Sequence, residues 1–136
     1  MRFFGLTIYD IRLWSPTALA GDGANQALAL ELVYARELLG ELIASRSLEE
    51  MRRIGPFSDA QALSWLAAMR RLFPNVQAGD RLTGVQRPGQ STRFFFNGLL
   101  RGELADGDFT RLFFGIWLSP RSSEPGLRAR LLGSAA

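Results

Sequence analysis

Polar chemistry in this chain must be done without histidine, cysteine or lysine, because its 136 residues contain none of the three. Ser-His-Asp and Cys-His pairs, HExxH and cysteine zinc sites, and disulfides are therefore excluded. So is the side chain that usually moves protons near neutral pH. Arginine remains as the one strong cation, together with carboxylates too scattered to suggest a metal site. Neither GxGxxG nor Walker spacing occurs, and Gly55-Pro56-Phe57 and Gly84 offer no phosphate loop. No nucleotide or metal cofactor is expected.

All sixteen basic residues are arginine, against thirteen acidic ones, for a net charge of +3. The densest groups, Arg52-Arg53, Arg70-Arg71 and Arg128 with Arg130, fall near the ends of expected helices, where cations complement the helix dipole. A nucleic-acid surface would need a contiguous basic stripe, so no nucleic-acid partner is expected. Nor does any window approach the run of about twenty apolar residues that spans a bilayer. The opening Met1–Asp10 stretch is apolar but lacks a small-residue cleavage site, so it reads as a strand rather than a signal peptide.

The elements follow from periodicity. Between Phe4 and Trp14, Tyr9, Ile11 and Leu13 alternate with Asp10 and Arg12, which predicts a half-buried strand. A second strand over about 27–34 puts Leu28, Leu30, Leu32 and Tyr34 on one face, and the two can pair as a broad hairpin. The period then becomes helical from about Arg36 to Ile54, through Leu38, Leu39, Leu42, Ile43, Leu48 and Met51. Ser47 with Glu50 resembles a capping box, so this stretch reads as one helix or as two meeting near Ser45. A cleaner box, Ser58 with Gln61, opens a helix that Pro74 closes.

Strands are expected at 81–87, 92–96 and 99–104, with Asn97-Gly98 as the hairpin turn because both positions suit positive φ. Asp106 can cap a helix with Phe109, Leu112, Phe113, Ile116 and Trp117 along one face, and a short helix follows Ser119-Pro120. With no repeat or linker, residues 1–136 read as a single domain. Its class is α+β: a mostly antiparallel sheet with the helices gathered on one face.

This order, with the strings Gly5–Trp14, Leu32–Arg36, Phe94–Gly98 and Leu112–Leu118 followed by Ser119-Pro120, resembles the chalcone isomerase-like family, in particular its bacterial branch. The similarity runs from about Arg2 to Leu132. It implies an open-faced β-sandwich with a ligand cleft between sheet and helices. Plant members of that family cyclise chalcones without a cofactor, related plastid members bind fatty acids, and others are non-catalytic helpers of enzymes.

Carried over residue by residue, the resemblance places Tyr9 where plant isomerases have a strand threonine and fatty-acid binders a tyrosine. A phenol there could donate to a carboxylate or ketone, or be a core tyrosine with a satisfied hydroxyl. Leu112 falls where plant enzymes carry a threonine or serine, so that polar anchor is missing. Leu42 and Ile43 occupy the region of the family's other catalytic tyrosine and asparagine. The family's ligand-binding arginine falls at or upstream of Met1, so either Arg2 takes its role or it lies outside this chain.

The expectation is a non-catalytic binder of a small apolar or carboxylate ligand such as a fatty acid, with Arg2, Tyr9, Tyr34, Leu38, Leu42 and Leu112 around the ligand and no catalytic residue. The alternatives are a cofactor-independent intramolecular lyase or isomerase, and an interaction protein without a small ligand. If the native chain begins further upstream, a first strand and a signal peptide precede Met1. A periplasmic location and pairing through an exposed edge strand would then be expected.

Overall fold

The computed structural model describes residues 2–3 and 6–133, with side chains from Ile8 to Gly133. Two short strands, β1 (Arg2–Phe3) and β2 (Leu6–Thr7), pair with each other. The main sheet holds β3 (Tyr9–Trp14), β4 (Leu28–Tyr34), β5 (Arg81–Arg87), β6 (Ser91–Phe96) and β7 (Leu99–Leu104). They lie side by side in chain order, every neighbouring pair antiparallel. The strand expected over 4–14 is thus divided. Residues from Leu6 turn to pair with β1, and at Ile8 the chain joins the main sheet, its carbonyl accepting from the Ala35 amide at 2.8 Å.

Register decides which residues meet the helices. Tyr9 faces Tyr34 across β3 and β4, Leu32 faces Leu82 across β4 and β5, and Gly84 faces Phe94 across β5 and β6. These residues share the inner face, as strand alternation requires. The opposite face carries cross-strand ion pairs, Arg81 with Glu31 at 3.8 Å and Arg93 with Glu103 at 3.1 Å. At the β6–β7 turn Asn97 (φ 49°) and Gly98 (φ 86°) both take the left-handed region.

Over the inner face lie α1 (Gly40–Ile54), α2 (Asp59–Leu72) and α3 (Gly107–Leu118), and α4 (Pro125–Leu131) packs against α3. α1 begins four residues later than its periodicity suggests. Leu38 is held extended by a two-bond bridge to Val76, and the Gly40 amide then donates to Asn75 Oδ1 at 2.8 Å. A side chain at Gly40 would run into the Phe73 and Pro74 carbonyls, so glycine lets α1 start against the end of α2.

The division near Ser45 does not occur: α1 is continuous, and Ser47 Oγ donates to the Ile43 carbonyl one turn back at 2.8 Å. Ser47 and Glu50 are neighbours on one face of a helix rather than a cap. The Ser58–Gln61 box does form, with both reciprocal bonds. Asp106 caps α3 by accepting from the Phe109 amide at 3.0 Å, and also accepts from Trp65 Nε1 at 2.9 Å, which ties α2 to the start of α3.

Phe113 is the hub of the core, with the rings of Phe94, Phe109 and Trp117 each at 5.3 Å. Burying each such side chain contributes about 1.5–3 kcal/mol. The arginine groups Arg52-Arg53, Arg70-Arg71 and Arg128 with Arg130 stand in the last turns of α1, α2 and α4. Among the described residues no helix is long and apolar enough to cross a membrane.

Candidate ligand cleft

Where α1 and α3 pass over β3, β4 and β5 the layers leave a narrow apolar cleft of about 60 Å³. Its floor is Tyr9, Tyr34, Leu30, Leu32 and Leu82 from the sheet. Leu38, Leu42 and Ile43 close it from the α1 side, and Phe113, Ile116 and Trp117 from α3. Gly84 also lies on the floor, where a Cβ would come to 3.3 Å from the Phe114 ring. Leu42 is 42% exposed and its neighbour Leu39 59%, which places the mouth beside the first turn of α1. A volume of this size admits a few water-sized groups. It is far below the roughly 300–1,000 Å³ of pockets that hold drug-sized ligands.

Two phenols supply the polar floor. They face each other across β3 and β4, their rings edge to face at 5.7 Å. Tyr9 Oη accepts from Trp117 Nε1 at 2.6 Å, and among the described residues nothing takes the proton of the Tyr9 hydroxyl. The Tyr34 hydroxyl makes no hydrogen bond among the described residues. Burial raises the pKa of both well above the ordinary tyrosine value, so both stay protonated donors.

The far side is charged. On α1, Arg46, Ser47 and Glu50 follow Leu42 and Ile43 at helical spacing and line the same cleft. Arg46 lies 3.5 Å from Glu49 and 3.9 Å from Glu50. Glu50 is buried and accepts from Ser123 Oγ at 2.6 Å, which joins the segment before α4 to α1.

Of the residues singled out from sequence, Tyr9, Tyr34, Leu38 and Leu42 line the cleft together. Leu112 does not. It is buried against the end of α1, its Cδ2 3.0 Å from where a Cβ on Gly55 would stand. The α3 stripe is broad, and its rotation turns Phe113, Ile116 and Trp117 to the cleft instead. Arg2 lies in β1, and its side chain is outside the described residues. Arg46, Ser47 and Glu50 were missed, although their spacing from Leu42 and Ile43 marks them as the continuation of that face.

A five-stranded antiparallel sheet with helices on one face and a cleft between the layers defines a class that the comparisons identify. The profile of the chalcone isomerase-like family matches residues 15–133, and the chain belongs to that family. An uncharacterized protein of Haemophilus influenzae is 29% identical over 126 residues. That match takes in 93% of this chain but 61% of the relative, so the chain spans about three-fifths of that protein's length. The crystal structure of a fatty-acid binding protein of Arabidopsis thaliana superposes with a TM-score of 0.72 at 12% identity, over 99% of this chain and 83% of that one. At that identity the likeness is one of fold.

Proposed function

We propose that the chain is a non-catalytic binder of a small apolar ligand, of which a fatty acid is the simplest example, held in the cleft between sheet and helices. The observation that carries this reading is the pairing of apolar walls with two buried phenols whose protons have no acceptor among the described residues. An oxygen on the ligand would accept from those hydroxyls. Burying ten methylenes would contribute about 8 kcal/mol before the entropy costs of binding, enough for micromolar affinity with few polar contacts. The fatty-acid binding neighbour of the same fold supports the ligand class.

Trp117 lines the cleft and provides the test. Titrating the protein with dodecanoate should give a saturable change in tryptophan fluorescence, and mass spectrometry of denatured protein should show co-purified lipid. A folded protein that carries no lipid and does not respond to dodecanoate or to a neutral ligand of equal chain length would overturn the reading. The small volume of the cleft favours a second one, an interaction protein whose cleft stays closed. That same negative result would select it.

A further inference from the structure

The polar groups of the cleft do not suit every head group equally. We propose that among apolar ligands the cleft prefers a neutral carbonyl head to a carboxylate, and that Glu50 is the specificity-determining residue that weakens binding of the anion. This rests on the reading of the cleft as a ligand site and names the class of ligand it takes.

Neither phenol has an acceptor among the described residues, so an acceptor oxygen suits them, which a ketone, ester or carboxylate could each supply. Charge separates these candidates. Glu50 is buried in the cleft wall, held in place by the Ser123 hydroxyl at 2.6 Å. Arg46, the one cation lining the cleft among the described residues, already sits between Glu49 and Glu50. An anionic head placed at Arg46 must therefore compete with two carboxylates that belong to the protein.

An anion placed at the phenols fares no better, and the Tyr9 oxygen reports the local field. Its ionisation is opposed first by burial and eased by the Trp117 hydrogen bond. It is then opposed further by Tyr34, Glu124 and Glu50. A ligand carboxylate at the same point would lose its water and meet the same two acidic side chains. A neutral carbonyl accepts the same hydrogen bonds without that repulsion.

The experiment compares dodecanoate with a methyl ketone of the same chain length at neutral pH, where the carboxyl group is ionised. Calorimetry on the intact chain should give the ketone at least about tenfold tighter binding. Glu50→Gln should narrow that gap severalfold by strengthening dodecanoate more than the ketone, and circular dichroism checks that the variant is folded. Tyr34→Phe should weaken both ligands. Dodecanoate binding as tightly as the ketone overturns the proposal while leaving the cleft a ligand site. So does an affinity gap that Glu50→Gln does not narrow. If neither ligand binds, both the proposal and the ligand-site reading fail.

Discussion

Trp117 Nε1 donates a 2.6 Å hydrogen bond to the Tyr9 hydroxyl, joining the last turns of α3 to the first residue of β3. Among the described residues β3 is an edge strand of the main sheet, paired there to β4 alone. The bond therefore fastens the edge of the sheet to the helix layer from inside the core. Trp117→Phe keeps most of the apolar surface but leaves the phenol oxygen without its donor. Such a loss costs about 1–3 kcal/mol. Urea denaturation should show a drop of that size with little change in slope.

Asp106 does two jobs with one carboxylate, capping α3 through the Phe109 amide and holding the Trp65 indole of α2. Asp106→Ala should cost more than an isolated cap, whose loss is typically about 1 kcal/mol. Asp106→Ser, which can restore the cap but not the second bond, should recover part of the loss. Thermal unfolding of the three proteins checks the order.

Leu42 lines the cleft from a position that is partly open to solvent. Leu42→Ala should change folding stability by less than about 1 kcal/mol. If the cleft binds a ligand, the same change should weaken the complex about fivefold or more, since a wall of the mouth is removed. Denaturation and calorimetry on one variant separate the two effects.

Alkali acts on the phenol pair. Tyr9 and Tyr34 have folded pKa values above the unfolded one, so the folded state keeps protons that the unfolded state releases. Their stabilising contribution is complete below the unfolded tyrosine pKa of about 10 and declines as pH rises beyond it. Absorbance of the phenolate should therefore appear together with loss of tertiary structure rather than before it. Phenolate appearing while the near-ultraviolet dichroism is intact would contradict the burial of both rings.

Local signals account for much of what the sequence revealed. Asn97-Gly98 takes the positive φ values that its side chains permit, and Ser58 with Gln61 and Asp106 cap where short-range hydrogen bonding dictates. The alternation in β4 was legible because one face of the strand is buried under helices. Ser47 with Glu50 misled because the spacing of a capping box is also that of adjacent turns inside a helix. The start of α1 was hidden because the bridge between Leu38 and Val76 is a contact across 38 positions, which no local pattern encodes.

The cleft itself was half legible. Tyr9, Tyr34, Leu38 and Leu42 stand out as aromatic or apolar residues on periodic faces. Arg46 and Glu50 lie on a cleft-facing side of α1, but a search for apolar periodicity passes over charged positions. Which edge of the α3 stripe meets the cleft depends on how α3 is turned against α1 and the sheet. That is why Leu112 packs elsewhere while Ile116 and Trp117 take its place.

The narrowness of the cleft also bears on time. If an acyl chain is taken up, a space of about 60 Å³ must widen to hold it, and uptake would wait for α1 and the sheet to part. The open form would then be a minor population, and observed association rates would level off at high ligand concentration, at the rate of opening. Once seated, a ligand would leave no faster than the same gate allows. If the cleft is a ligand site, its occupant would exchange slowly, staying longer than the affinity alone suggests.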